Sequence, residues 1–155
     1  MTKIKTTYLG GLRTEAIHEQ SGTKLITDAP LDNHGKGEAF SPTDLVATAL
    51  GSCMLTIMGI SAEAYGYKLE GTTLEIEKIM VANPRRIGEI KVEVNFPEGS
   101  NFTDKQKRVI EAAAKSCPVY NTLAPEVQKR IKFLPTRNFD YFCTPIYRRP
   151  GWRNR

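Results

Sequence analysis

The stretch Phe40–Cys53, which reads FSPTDLVATALGSC, decides how this chain folds. Ser41 has a side chain of the kind that caps helix N-termini, and Pro42 suits the first helical position because no N–H is needed there. Asp44 stands three residues after Ser41, where a capping box places an acid. The stretch therefore predicts a helix that begins at Pro42.

The predicted helix continues beyond Cys53. Its apolar residues run to about Tyr65, and Gly66 can end it in a left-handed conformation. The apolar stretch Leu45–Ile60 is interrupted by polar residues and is short for a membrane span. Because the segment is apolar nearly all round, we expect a buried core helix at the centre of the fold and no association with a membrane.

Strands are predicted on both sides of this helix. Residues 1–27 alternate apolar and polar residues between glycine turns, which predicts a three-strand meander, and residues 28–38 read as a polar loop. After the helix, Thr73–Val81 alternates with a phase slip near Lys78, which is typical of a bulge. Ile90–Phe96 alternates without interruption and predicts the next strand.

A second helix is predicted to open at Thr103, with Gln106 completing another capping box. Pro118 ends this helix and can begin a further turn, and the segment RIKF at residues 130–133 predicts one last strand. The order βββ-α-ββ-α-β predicts an α+β fold, in which two main helices pack on curved antiparallel sheets.

The composition indicates one ordinary globular domain. The chain has 155 residues, of which 40% are hydrophobic and 25% charged, and this excludes collagen-like, coiled-coil and disordered chains. The N-terminus lacks the apolar core of a secretory signal, and three cysteines are too few for a disulfide scaffold. We therefore expect a cytoplasmic protein whose thiols are reduced at rest.

The C-terminal end differs from the rest of the chain. We predict that residues 1–137 form a single domain and that residues 138–155 form a basic, aromatic extension, since five arginines and one acid lie from Arg137 onward. Arginines mixed with aromatic residues could stack on nucleic acid. We expect instead an extension that packs on the body or is disordered, with no nucleic acid partner. Cys143, within it, is interpreted as a bystander thiol, with a second resolving role as the alternative.

The motifs exclude several enzyme classes. Gly10-Gly11 lacks the further glycines and the lysine of a phosphate-binding loop. His18 and His34 have no partner at metal-ligand spacing, and the sequence contains neither C-x-x-C nor G-x-S-x-G. We therefore expect no bound metal and no bound cofactor, and the cysteines are the remaining candidates for chemistry.

Cys53 and Cys117 each admit two interpretations. Each could be a small hydrophobe of the core, as most buried cysteines are. Alternatively, each could be a reactive thiol. Cys53 has the small neighbours Ala49, Gly51 and Ser52, which let a ligand or another chain approach closely. Cys117 precedes a proline, where the helix breaks. Two cysteines on two core-facing helices could come within disulfide reach, although spacing alone does not prove it.

Two motifs resemble those of a known family. The run Phe40–Cys53 resembles the first signature of the OsmC/Ohr family, and SCPVYN at residues 116–121 resembles the second. The resemblance covers about residues 4–134, with the motifs in the right order and spacing, and is nearest to the OsmC-like branch. It implies an intertwined homodimer of α+β subunits and a thiol-dependent reduction of organic hydroperoxides.

The resemblance also implies a role for each site residue. Cys53 would be the peroxidatic thiol and Cys117 the resolving thiol, which together close a Cys53–Cys117 disulfide. Arg13 would stabilise the thiolate, which is the nucleophilic form of cysteine, and Asp44 would orient Arg13. Electrons would come from an external dithiol reductant, for which a lipoyl-type dithiol is a candidate. An apolar pocket would favour organic hydroperoxides over hydrogen peroxide.

Two questions stay open from the sequence alone. Asp44 and Cys53 would lie about 13 Å apart along a straight helix. Either the helix breaks near Gly51, or Asp44 serves the Cys53 of the other subunit, which is the alternative we prefer. The function also has two interpretations: an antioxidant, stress-response peroxidase, or a dimeric binding or redox-sensing protein of the same fold with little turnover.

Overall fold

A computed structural model describes residues 1–134 of the chain. The predicted extension at residues 138–155 and Cys143 lie outside the described residues. The helices are α1 (Pro42–Tyr65), α2 (Asp104–Lys115) and α3 (Pro118–Thr122). The strands are β1 (Ile4–Gly10), β2 (Arg13–His18), β3 (Lys24–Asp28), β4 (Thr73–Val81), β5 (Arg86–Asn95) and β6 (Gln128–Phe133). This order confirms the predicted α+β fold.

Helix α1 begins and ends where the sequence predicts. The Asp44 N–H donates to Ser41 Oγ at 3.1 Å, and the Ser41 N–H donates to Asp44 Oδ2 at 2.8 Å, which completes the capping box. Gly66 follows the helix in a left-handed conformation and donates its N–H to the carbonyl of Ala62. Because α1 is continuous through Gly51, the alternative of a helix broken at that position is excluded.

The core lies between one face of α1, strand β5 and helix α2. Its most deeply buried apolar side chains are Leu50, Met54 and Met58 of α1, Ile90, Val92 and Val94 of β5, and Ile110 of α2. A Cβ atom at Gly51 would lie 2.3 Å from Cδ1 of Ile76 in β4, so the absence of a side chain lets α1 approach this strand closely.

Helix α1 buries only one of its faces within the described chain. Ile60 and Tyr65 are exposed, and so are Thr48, Ser52 and Thr56. The prediction of a buried core helix is therefore confirmed for the face that packs on the core, whereas no element of residues 1–134 covers the opposite face. By length and apolar composition alone α1 could span a membrane. Its packing on β5 and α2 is that of a core helix.

The six strands form two sheets of three. Strands β1, β2 and β3 are antiparallel in that order, and β4 pairs antiparallel with β5. Strand β6 differs from the predicted antiparallel arrangement because it pairs in parallel with β5. The crossover through α2 and α3 returns the chain to the end of the sheet where β5 starts, so the two strands run in one direction. A register shift between Ile79 and Met80 lies close to the bulge predicted near Lys78.

Replacing Leu50 by alanine is expected to lower the free energy of unfolding by about 2–5 kcal/mol, because the side chain is fully buried and its loss leaves a cavity. Arg108→Ala, at an exposed position of α2, is the control and should change that free energy by no more than about 0.5 kcal/mol. Urea denaturation of the two variants gives both values. Equal, small effects would contradict the central place of Leu50 in the core.

Candidate functional site

Two free thiols meet where α1 packs on α3. Cys53 lies in the middle of α1, half-buried and packed against the core, whereas Cys117 is completely buried immediately before α3. The two side chains lie close enough for Cys53 to raise the pKa of the Cys117 thiol. The structure therefore brings together the two cysteines that the sequence analysis selected.

The surroundings of Cys117 keep that thiol protonated. Burial raises the pKa of Cys117, the N–H of Tyr120 opposes this by donating to Cys117 Sγ at 3.2 Å, and the neighbouring Cys53 raises the pKa further. Pro118 starts α3 and places Cys117 at its N-cap, which is why the sulfur meets the Tyr120 N–H. With its proton retained, Cys117 can donate a hydrogen bond to a thiolate at Cys53.

Cys53 is the accessible member of the pair. Its neighbours Ala49, Ser52 and Thr56, one residue or one helical turn away on α1, are small and exposed. A reagent, a substrate or another chain can therefore approach the Cys53 sulfur from outside, while Cys117 lies behind it in the core. This asymmetry suits a first thiol that attacks and a second that resolves.

Arg13 lies at the start of β2, directly opposite Asp28 of β3 in the strand register. The residues between β1 and β2 turn tightly, since Gly10, Gly11 and Leu12 all have positive φ angles. Arg13 Nε donates to Asp28 Oδ1 at 2.7 Å, and Arg13 Nη2 donates to Asp28 Oδ2 at 2.7 Å. Nη2 also donates to Glu38 Oε2 at 2.6 Å. One guanidinium is thus held by two carboxylates.

These ion pairs shift both partners toward their charged forms. The hydrogen bond from Arg13 lowers the pKa of Asp28, and the bonds to Asp28 and Glu38 raise the pKa of Arg13. Asp28 is almost fully buried, with 2% of its side chain exposed, whereas 60% of the Glu38 side chain is exposed. The Glu38 N–H in turn donates to Asp28 Oδ2 at 3.2 Å, so Asp28 organises the loop as well as the arginine.

Asp44 has other partners within the protomer. Its Oδ2 accepts the capping bond from Ser41, and its Oδ1 lies 2.8 Å from Lys78 Nζ. Lys78 also donates to Thr43 Oγ1 at 2.7 Å. The structure therefore does not bring Asp44 to Arg13 within one protomer, and the orientation of Arg13 by Asp44 of a second subunit stays a prediction.

Arg13 with its partners Asp28 and Glu38, here called the arginine cluster, lies apart from the thiol pair within one protomer. The Asp28 N–H donates to the Phe40 carbonyl at 3.1 Å, which fixes the arginine cluster beside the start of α1 at Pro42. Cys53 lies three helical turns further on, about 16 Å along the axis. If Arg13 acts on a Cys53 thiolate, the two residues must come from different copies of the chain.

A cavity of about 360 Å³ borders the arginine cluster between the first sheet and the start of α1. Its lining includes Tyr8, Leu12, Asp28, Pro42, Met80 and Arg85. The cavity surface is mainly apolar, and its lining includes the charged residues Asp28 and Arg85. Within residues 1–134, no group of three or more His, Cys, Asp or Glu side chains is placed to hold a metal ion.

Sequence reasoning missed Asp28 and Glu38. A usable signal for Asp28 was present, because the β2–β3 hairpin register pairs it with Arg13. Glu38 lies in the irregular segment before α1, where no periodicity fixes the position of a side chain. Its contact with Arg13 depends on how that segment folds over β3, which the sequence pattern does not determine.

Asp44 is expected to contribute stability at neutral pH that is lost in acid. Burial raises the pKa of its carboxyl, but hydrogen bonds from Lys78 and Ser41 outweigh burial and place the folded-state pKa below the ordinary value of 3.8. The unfolded state then binds the proton more readily, so this stability is complete above the ordinary pKa and disappears as the pH falls through the lowered one. Urea denaturation between about pH 2.5 and pH 6 should show a flatter dependence for Asp44→Asn than for the wild type. If the unfolding free energy of the two proteins changed equally with pH, a stabilising contribution from ionised Asp44 would be contradicted.

The chain is similar to known proteins both in sequence and in fold. A family model described as OsmC-like protein matches residues 35–132. A crystal structure of a protein from Psychrobacter arcticus 273-4, proposed to be an osmotic stress induced and detoxification response protein, is 47% identical in sequence, with a TM-score of 0.82 over 86% of this chain and 96% of that chain. No curated protein matches the chain significantly.

More distant solved structures share the fold. An organic hydroperoxide resistance protein OsmC from Legionella pneumophila is 18% identical, with a TM-score of 0.70 over 86% of this chain and 96% of that chain. An OsmC like protein from Mycoplasma pneumoniae is also 18% identical, with a TM-score of 0.73 and the same coverage of both chains. At this identity the likeness concerns the fold alone.

Proposed function

The chain belongs to the OsmC-like protein family, and from this membership and the thiol pair we propose that it is a thiol-dependent peroxidase that reduces organic hydroperoxides to alcohols. The observation that carries the proposal is the proximity of the half-buried Cys53 to the fully buried Cys117. The Legionella protein of the same fold, named for organic hydroperoxide resistance, supports the choice of substrate class.

In the first step, the Cys53 thiolate attacks the terminal oxygen of the hydroperoxide. An S–O bond forms, the O–O bond breaks, and the alkoxide leaves as the alcohol after taking a proton. Cys53 becomes a sulfenic acid. A hydrogen bond donated by the protonated Cys117 and the positive charge of Arg13 would both favour the thiolate before the attack.

In the second step, Cys117 condenses with the sulfenic acid. The Cys117 sulfur attacks the Cys53 sulfur, a disulfide forms and water leaves. Because the two side chains already lie near each other, this step would need little rearrangement. An external dithiol then reduces the disulfide by two exchange steps and leaves as its own disulfide.

The proposed enzyme is an intertwined homodimer. The first sheet packs little on the rest of the described chain and exposes Ile4, Tyr8, Leu9, Leu12 and Leu25. The outer face of α1 is likewise uncovered, with 60% of Ile60 exposed. Apolar surface on this scale is typical of an interface. A second copy would cover it and bring Arg13 of one protomer to the Cys53 of its partner.

The remaining assignments follow the same proposal. We place the enzyme in the cytoplasm with no bound cofactor, and its reductant is a dithiol, with a lipoyl-type dithiol as the candidate. The apolar cavity beside Asp28 would accommodate the organic part of the substrate and explain a preference over hydrogen peroxide.

One observation favours the second candidate, a dimeric binding or redox-sensing protein with little turnover. Arg13 is paired with both Asp28 and Glu38, so the cluster carries a net negative charge and would stabilise a nearby thiolate weakly. A thiol pair that oxidises without efficient recycling would then act as a sensor.

Steady-state assays separate the two candidates. With dithiothreitol as the reductant, we expect catalysed consumption of cumene hydroperoxide with a kcat/KM at least about tenfold higher than for hydrogen peroxide. Consumption no faster than with the dithiol alone would overturn the peroxidase. If the Cys53–Cys117 disulfide nevertheless formed under those conditions, the sensing candidate would stand.

A further inference from the structure

The guanidinium of Arg13 offers two edges, each with a pair of N–H groups pointing the same way. Asp28 occupies one edge completely, since Nε and Nη2 each donate to one of its carboxylate oxygens at 2.7 Å. The other edge comprises Nη1 and the second N–H of Nη2. Within residues 1–134, Nη1 has no hydrogen-bond partner, and Glu38 accepts from Nη2 at 2.6 Å.

The two carboxylates are held very differently. Asp28 is buried, faces Arg13 across the β2–β3 register and accepts the N–H of Glu38 as well. The Glu38 side chain is 60% exposed, and Arg13 is the described partner of its carboxylate. The backbone N–H of Glu38 is held by Asp28, but the Glu38 side chain can rotate independently. Such a rotation removes the carboxylate from Arg13 without moving the backbone. Exposed ion pairs are weak enough to open readily.

We propose that the Glu38 carboxylate reversibly occupies the edge of the Arg13 guanidinium formed by Nη1 and Nη2, and that by doing so it lowers the reactivity of the Cys53 thiol on which Arg13 acts. The inference rests on the proposed function, because it takes Arg13 to act on Cys53 across a dimer. With Glu38 in place, the guanidinium is balanced by two negative charges. When Glu38 swings out, Asp28 still fixes the arginine, and Nη1 and Nη2 present two parallel donors to a thiolate or a peroxide oxygen.

The arrangement assigns opposite effects to two residues that touch each other. Loss of Arg13 removes the positive charge from the thiolate, whereas loss of the Glu38 charge increases the share of that charge available to the thiolate. Glu38 is thus a positioning residue that acts through Arg13, and its influence must disappear when Arg13 is absent.

The test measures the rate of Cys53 alkylation by iodoacetamide in the reduced full-length protein at pH 7. Glu38→Gln should react about three- to tenfold faster than the wild type, since one negative charge beside the guanidinium is removed. Its alkylation profile should also move to lower pH, which a purely structural change would not produce. Glu77→Gln is the matched control, because Glu77 is 64% exposed and paired with Lys91 at 2.8 Å, and it should leave the rate unchanged.

A double-mutant cycle completes the test. Arg13→Ala should slow alkylation, and adding Glu38→Gln to it should have no further effect. An unchanged or lower alkylation rate in Glu38→Gln, or an acceleration that persists without Arg13, would overturn the proposal that Glu38 lowers the reactivity of Cys53 through Arg13. Failure of the proposed function is recognised separately: wild-type Cys53 would then show no oxidation by cumene hydroperoxide, whatever the alkylation ratios.

Discussion

Cys53→Ser is expected to abolish peroxide reduction, with a fall in kcat/KM for cumene hydroperoxide of at least about 1,000-fold. A serine hydroxyl at this position is not ionised at neutral pH and is a far weaker nucleophile toward the O–O bond than a thiolate. The fold should be preserved, because Cys53 is half-buried at the margin of the core and serine differs by a single atom. Coupled consumption of the peroxide with dithiothreitol measures the loss.

Cys143→Ser is the control for that experiment. Cys143 is the third cysteine of the chain, and as a bystander it should leave both the rate and the stoichiometry unchanged. Thermal melting of both variants checks that the fold is retained. If Cys53→Ser still reduced the peroxide substantially and Cys143→Ser lost the activity, the peroxidatic thiol would be Cys143, and the proposed role of Cys53 would be refuted.

Cys117→Ser is expected to stop catalysis after the first chemical step. Cys53 should still consume about one equivalent of cumene hydroperoxide and accumulate as a sulfenic acid, because the thiol that condenses with it is absent. Dimedone labelling followed by mass spectrometry detects that species at Cys53, and the wild type should be labelled far less. Excess peroxide should carry the variant on to the sulfinic acid, which dithiothreitol does not reduce.

The same variant separates two roles for the remaining cysteine. If Cys53 were instead recovered in a disulfide with Cys143, that residue would be the resolving thiol, and the proximity of Cys117 to Cys53 would have another purpose. If peroxide consumption in Cys117→Ser matched the wild type over many turnovers with no labelled sulfenic acid, resolution by Cys117 would be contradicted.

Much of the fold can be predicted from local signals. The capping box at Ser41 and Asp44 and the stop at Gly66 fix the ends of α1, because both depend only on adjacent residues. The pairing of β6 in parallel with β5 was not predictable in this way, since residues 130–133 show a strand but not the direction in which it joins a sheet. Apolar composition indicated that α1 is a core helix, but it does not tell whether the same chain or another copy covers each of its faces.

The sequence predicts the residues of the thiol pair more completely than those of the arginine cluster. Cys53 and Cys117 each lie on a core-facing element, so the packing of α1 on α3 brings them together. Arg13 depends on a hairpin register and on the loop that carries Glu38, and its partners were predicted incompletely. Ion pairs follow the exact placement of long side chains, which residue spacing constrains weakly.

The most direct test of the central claim is to treat the reduced protein with one equivalent of cumene hydroperoxide and map its cysteines by non-reducing peptide mass spectrometry. The structure predicts a single new disulfide between Cys53 and Cys117, reversed by a dithiol, with Cys143 still alkylatable. Recovery of both Cys53 and Cys117 as free thiols after the peroxide has been offered would contradict the claim that this pair is a peroxide-driven redox couple.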